Sequence, residues 1–297
     1  MTLDSFFKDA KVLRAHFEER FRDPRESRSD RFVWDYWHVP DQYTALRTPA
    51  YLFFPKKVYE QFHNELVWWG RRTLGCHDIS PPWMSCYIDG FGQELHGDVP
   101  HGPWAFVYSL TPWANRNFTG GETLLLKPEI LEYWRSFNTS RGLERGDIVD
   151  EVPPKFNRLT VFDPRIPHGV KTVRGVNDLT KGRLVIHGWF VQPRPFIEGP
   201  LAPKDLQVLI DDLSGELSVA LDEGLDLKGL LSLKLSFTAQ GKISRVQTLA
   251  NTLKASNSQD RLLETSLVNH ISRWLKSANV RKQRGPSTVT LPLVFES

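Results

Sequence analysis

The sequence predicts a mainly β protein: an antiparallel sandwich or barrel flanked by helices, followed by a small α+β domain. Three observations carry this. Between residues 83 and 191 lie short runs rich in β-branched and aromatic residues (WMSCYIDG, WAFVYSLTPW, GGETLLL, RLTVFDP, GVKTVRG, RLVIHGWFV), separated by Gly, Pro and Asn. That punctuation is typical of short antiparallel strands. Ahead of them the apolar spacing is helical, and behind residues 193–205 the composition shifts.

Taking the elements in order, residues 3–22 place Leu3, Phe6, Phe7, Ala10, Leu13, Phe17 and Phe21 on one helical face, which predicts an opening amphipathic helix. The polar stretch 23–31 reads as a loop. Residues 58–74, after Pro55 and before Gly75, predict a second helix. Within the strand-rich segment, 129–137 reads as an inserted helix. PRPFIEGPLAPKD, with four prolines at 193–205, marks the boundary between domains at 1–200 and 206–297. Beyond it, LLSLKLSFTAQGKISRVQTL predicts two strands joined at Gly241. Residues 262–275 carry Leu263, Leu267, Ile271, Trp274 and Leu275 on one helix face, and STVTLPLVF is a final strand.

Composition narrows the function classes. The chain has 297 residues, 40% hydrophobic and 25% charged, as in soluble globular proteins. With 38 basic against 35 acidic residues, the net charge of +3 leaves no electrostatic footprint for nucleic acid or an anionic membrane. Cys76 and Cys86 build no disulfide framework. The first residues lack a secretory leader pattern, and no run is apolar for long enough to span a bilayer. The expected compartment is therefore the cytoplasm.

The chemistry concentrates in His96-Gly97-Asp98, a single His168 and then Arg183. Two imidazoles and one carboxylate are the ligand set of a non-heme Fe(II) centre with coordination positions left open. On a strand, residues i and i+2 share a face about 6.6 Å apart, so His96 and Asp98 can reach one ion while His168 arrives from another strand. Any one histidine alone is more often structural; the ordered set HGD, GGET, FDP-x-x-P-H and a basic residue opening RLVIHGWF is what singles out these residues. A dicarboxylate that chelates iron through a 2-oxo acid end leaves a distal carboxylate to be paired, and a guanidinium fork matches it. Alternation puts Arg183, Val185, His187 and Trp189 on one face. Arg174 is the competing arginine.

At these residues the chain resembles the 2-oxoglutarate- and Fe(II)-dependent dioxygenases, in particular their prolyl 4-hydroxylase-like branch. The matching words are CYIDGFGQELHGD, FVYSLTPW with FTGGETLLL, RLTVFDPRIPHGV and GRLVIHGWF. The resemblance implies a double-stranded β-helix (jelly-roll) core. It implies iron on His96, Asp98 and His168, and the 2-oxoglutarate C5 carboxylate on Arg183. It also implies Tyr87, Tyr108 and Trp189 around the co-substrate, dioxygen as oxidant, and ascorbate as an optional reductant. The interval from His168 to Arg183 is longer than in many relatives, and His101 is an extra histidine. Asp98 fits a hydroxylase rather than a halogenase. Residues 225–297 resemble a TonB C-terminal-like module, which implies docking or homo-oligomerisation and no catalytic residue.

The expected function is hydroxylation of an unactivated C–H of an amino-acid side chain, free or in a peptide or protein. A rim of Trp34, Trp37, Trp104 and Trp113 leans toward a peptidyl substrate. The alternatives are a non-catalytic metal-binding scaffold that recruits partners, and a zinc hydrolase, for which no Glu-rich base motif lies near His96.

Overall fold

Strands bounded by Gly, Pro and Asp form where β-branched and aromatic residues can fill a half-buried pleat. The computed structural model describes residues 1–20, 33–52, 54–98, 101–127, 130, 145–221, 227–255 and 261–295. The expected loop at 23–31 lies outside these residues, as does the expected helix at 129–137 apart from Ile130. The chain divides into two units, residues 1–65 with 79–190 and residues 66–78 with 191–297. The second unit thus joins residues 66–78 to a C-terminal stretch that begins at Val191.

The first half of the chain runs β1 (Thr2–Leu3), α1 (Ala10–Arg20), β2 (Asp35–Val39), β3 (Tyr43–Pro49), α2 (Lys56–Thr73) and β4 (Cys76–Ile79). The predicted strand region follows as β5 (Trp83–Tyr87), β6 (Gly92–His96), β7 (Trp104–Ser109) and β8 (Thr123–Leu126). It continues with α3 (Arg145–Ile148), β9 (Val149–Val152), β10 (Leu159–Phe162), β11 (His168–Val170) and β12 (Arg183–Pro193).

Pairing shows how this region folds. β5 pairs β12, β12 pairs β7 and β7 pairs β10; β6 pairs β11, β11 pairs β8 and β8 pairs β9, all antiparallel. The chain therefore passes back and forth between two faces, which makes a jelly roll. β3 pairs both β5 and β6 and joins the faces. Along β12, Leu184, Ile186 and Phe190 are fully buried. Arg183, Val185, His187 and Trp189 alternate with them and line a cavity.

The expected opening helix starts only at Ala10. Before it, Thr2 and Leu3 add to β10, and the Met1 ammonium donates to the Val161 carbonyl at 2.7 Å. Pairing satisfies backbone groups along that strand, and Ser5, with φ +55°, turns the chain into α1. α1 buries Leu13 and Phe17. α2 sets Phe62 against Tyr108, ring centres 4.6 Å apart.

The second unit contains β13 (Phe196–Glu198), α4 (Pro203–Leu221), β14 (Leu227–Phe237), β15 (Ile243–Asn251), β16 (Lys254–Ala255), α5 (Arg261–Ser277) and β17 (Ser287–Phe295). Its sheet runs β13-β17-β14-β15, with β16 also on β14. The hairpin at Gly241, the helix and the last strand stand where the sequence predicts them. α4 was not predicted, although Pro203 opens it and Leu206, Leu209, Leu213 and Leu217 repeat at helical spacing. These leucines share a core with Leu231, Leu233, Leu235, Ile271, Leu275 and Leu291. Among the described residues no helix is long and apolar enough to cross a membrane.

Candidate active site

The HGD and FDPRIPH words meet because β6 and β11 pair in register, His168 opposite His96. Gly169 makes this possible: a Cβ there would stand 2.4 Å from the Gln93 carbonyl oxygen, so only glycine lets the strands approach this closely. The loop before His168 is fixed by its own residues. Asp163 is buried, accepts from the Arg165 backbone N–H at 2.9 Å and binds the Arg165 guanidinium through both oxygens. His168 opens β11 rather than sitting in the turn.

Asp98 is not on a strand. β6 ends at His96, and the Asp98 N–H donates to the Pro164 carbonyl at 2.9 Å. The expected i, i+2 strand geometry is thus replaced by a turn held from the opposite loop, and the carboxylate still reaches both rings. His168 Nε2 lies 3.3 Å from Asp98 Oδ2, and His96 Nε2 lies 3.5 Å from Oδ1. One ligand atom from each residue falls within 4.8 Å of the others.

The hydrogen bonds on the far side of each ring fit a metal. His168 Nδ1 faces the Ile166 carbonyl at 2.9 Å and His96 Nδ1 the Glu94 carbonyl at 3.0 Å. With a metal bound, a proton on each Nδ1 would leave both Nε2 lone pairs for the ion in place of their contacts with Asp98, the arrangement that orients metal-bound histidines. Burial pushes the Asp98 carboxyl up, but hydrogen bonds from His168 and His96 outweigh it and hold the group well below the usual carboxylate range. A carboxylate oxygen and two imidazole nitrogens suit Fe(II) better than a thiolate-preferring ion.

The cluster opens into a cavity of about 550 Å³ lined by residues of β2, β3, β5–β8 and β10–β12 and of the loops beside them. Arg183 is 1% exposed within it. Its Nε donates to the Gly121 carbonyl at 2.8 Å, its Nη2 to Thr123 Oγ1 at 3.2 Å, and its Cζ lies 4.7 Å from the Tyr87 ring centre. Its Nη1 is buried without a hydrogen-bond partner. A guanidinium so placed calls for an anion. The GGET word explains part of this: Gly120 has φ +76°, and a Cβ there would overlap the Thr172 carbonyl, so the turn that carries the Gly121 carbonyl to Arg183 requires glycine.

Of the sequence-predicted site residues, His96, Asp98, His168, Arg183, Tyr87 and Trp189 all line the cavity. His101 joins them, its ring 4.6 Å from Trp189. Tyr108 does not. Strand alternation turns Ala105 and Val107 to the cavity, while Tyr108 is buried behind the sheet and donates to Asn157 Oδ1 at 2.9 Å. Arg174 is exposed, away from the cavity. The aromatic rim also differs: of the four tryptophans expected there only Trp37 lines the cavity, joined by Trp83 and Trp189. Trp104 is 4% exposed, Trp113 packs with Phe118, and Trp34 meets Phe17. Sequence reasoning missed Arg47 and Gln93. The signal for Arg47 was alternation along Tyr43, Ala45, Arg47 and Pro49, readable only once β3 is known to be a strand. His187 lines the cavity and bonds Ser85 Oγ at 2.8 Å; burial, with Arg47 and Arg183 nearby, depresses its pKa to about 3.

Comparison with known proteins agrees with this chemistry. Residues 82–191 match the family model of the 2OG-Fe(II) oxygenase superfamily. No curated protein gives a significant match. Among solved structures, a prolyl hydroxylase from Trichoplax adhaerens, in complex with a hypoxia inducible factor peptide fragment, is 17% identical. That alignment covers 64% of this chain and 82% of that one, with TM-score 0.41. A Pseudomonas putida prolyl-4-hydroxylase is 16% identical over 65% of this chain and 91% of that one, TM-score 0.42. HygX from Streptomyces hygroscopicus, with nickel, 2-oxoglutarate and hygromycin B bound, is 11% identical over 63% and 80%, TM-score 0.40. The matched segment is the one that contains the cluster, with His96, Asp98 and His168 as its candidate iron site.

Proposed function

We propose that His96, Asp98 and His168 hold the iron of this oxygenase, and that Arg183 binds the distal carboxylate of 2-oxoglutarate against Tyr87 and Trp189. The reaction is hydroxylation of an unactivated C–H in an amino-acid side chain, free or in a peptide. One observation carries the assignment: a fully buried guanidinium with a partnerless N–H lies in the same cavity as three convergent ligand atoms.

When bound, Fe(II) supplies the activation of dioxygen coupled to oxidative decarboxylation of 2-oxoglutarate. The chain's residues do the rest. The Ile166 and Glu94 carbonyls fix the two imidazole tautomers, and the imidazoles keep Asp98 ionised. Arg183, pinned by Gly121 and Thr123, sets the depth at which a dicarboxylate docks. Phe162 and Val185 keep water from the cavity wall. The C-terminal unit is read as a docking or oligomerising module, on its resemblance to a TonB C-terminal-like module.

The test is metal binding and turnover together. His96→Ala and His168→Ala are expected to lose Fe(II) or Mn(II) in equilibrium dialysis and to form no succinate from 2-oxoglutarate. Retained metal and succinate in either variant overturns the ligand assignment. A panel of free amino acids and peptides, followed by succinate release above the uncoupled rate, tests the substrate class.

A further inference from the structure

The cavity contains a second guanidinium whose charge the proposed chemistry does not use. Arg183, Val185 and His187 on β12 stand opposite Tyr87, Ser85 and Trp83 on β5, and β3 continues the grid with Arg47 opposite Ser85 and Pro49 opposite Trp83. Arg47 therefore stands one same-face step, about 7 Å, along from the Arg183–Tyr87 row. That step runs toward Trp83 and the half-exposed Tyr51, away from the buried end of the cavity.

The Arg47 side chain packs against two tryptophans. Its Cζ lies 5.0 Å from the Trp37 ring centre and 4.9 Å from that of Trp83. The two rings stand edge to face with centres 6.2 Å apart, so they meet the guanidinium from adjacent directions, and these contacts leave its N–H groups for a partner. Among the described residues none is supplied: Nε is buried without a hydrogen bond, and no carboxylate makes an ion pair with Arg47, although Asp35 stands opposite it on β2. Asp98 is the one acidic residue among the described cavity lining, and His96 and His168 already claim it.

We infer that the molecule oxidised here carries a carboxylate and that Arg47, packed against Trp37 and Trp83, is the residue that recognises it. This rests on the assignment of Arg183 to 2-oxoglutarate, which leaves Arg47 for the second substrate. Pro49, Pro81 and Pro82 line the same cavity with apolar surface suited to a small acid's body. A free amino acid, or the C-terminal residue of a peptide, meets this requirement; an internal peptide residue without an acidic side chain does not.

The experiment uses matched probes on the full chain loaded with Zn(II) and 2-oxoglutarate. N-acetyl derivatives of Ala, Val, Leu, Ile, Pro and Met are compared with the corresponding N-methylamides by saturation-transfer NMR titration. At least one acid is expected to bind tenfold or more tightly than its amide, and Arg47→Met to abolish that difference while 2-oxoglutarate affinity stays within twofold of wild type. If no acid binds better than its amide, or if Arg47→Met binds the acid as wild type does, the inference is overturned. The acid–amide comparison in the wild type stands even if the variant fails to fold. Failure of the oxygenase assignment shows separately, as 2-oxoglutarate that does not bind the wild type.

Discussion

Replacing Arg183 by Met separates two roles that a buried arginine can have. As a structural group it donates to Gly121 and Thr123. Losing those bonds strands two acceptors at about 1–3 kcal/mol each. Against this, Met removes a charge buried with one N–H unpaired, whose desolvation costs several kcal/mol. The two effects oppose, so the ligand-free fold should change in stability by no more than about 2 kcal/mol. As a ligand-binding group, Arg183 would give a carboxylate two charge-assisted hydrogen bonds of about 1.5–3 kcal/mol each. Their loss weakens 2-oxoglutarate binding roughly 10²- to 10⁴-fold. At a concentration one hundred times the wild-type Kd, 2-oxoglutarate with Mn(II) stabilises the wild type by about 2.7 kcal/mol, and a variant weakened 100-fold by only about 0.4. In a domain of this size that is a thermal shift of about 5–10 °C against about 1 °C. The assay is differential scanning fluorimetry with and without 2-oxoglutarate, with the exposed Arg174→Met as control. Equal protection of Arg183→Met and wild type, or loss of protection in Arg174→Met, refutes the reasoning.

Tyr108→Phe should cost about 0.5–1.5 kcal/mol in a denaturant titration, because Asn157 Oδ1 keeps the Phe7 N–H at 2.8 Å. The KM for 2-oxoglutarate should stay within twofold, and a larger rise would return Tyr108 to the pocket. Gly169→Ala pushes β11 off the Gln93 carbonyl; we expect about 1–3 kcal/mol of destabilisation and Mn(II) affinity lower by about 10- to 100-fold in equilibrium dialysis. His187 has a folded pKa of about 3, below its unfolded value, so the unfolded chain takes the proton first as pH falls. Stability from the neutral ring is complete above about pH 6.5 and declines toward pH 3, by at most about 1.4 kcal/mol per pH unit. Urea midpoints between pH 7 and 5 should therefore fall less steeply in His187→Gln than in wild type; parallel curves would contradict the assignment.

How much of this was legible in the sequence depended on whether a feature is written locally. The strand region was readable because Gly, Pro and Asp punctuate it, and the ligand set because its residue types admit few other chemistries. β6 was not: Gly92, Gln93 and Glu94 have poor strand propensity, and pairing with β11 makes it a strand. The same pairing brings Asp98 to the histidines, so the right residues were found through a local geometry that the fold does not use. α4 was legible in its leucine spacing and was passed over because the prolines before it dominated the segment.

Tyr108 and Arg47 show the harder limit. Each sits on a strand whose two faces look alike in sequence, and a shift of one residue exchanges cavity for core. For Tyr108 the choice is made by Phe62 of α2 and Asn157, both distant in the chain. For Arg47 it is made by Trp37 on the neighbouring strand and by Trp83 across the sheet. Spacing can therefore reveal residues fixed by the reaction's fixed parts, the metal and the dicarboxylate, because those parts demand particular side chains in a particular order. The variable substrate imposes no such order. Its recognition has to be read from what the folded cavity leaves unpaired, and what it leaves unpaired is the charge on Arg47.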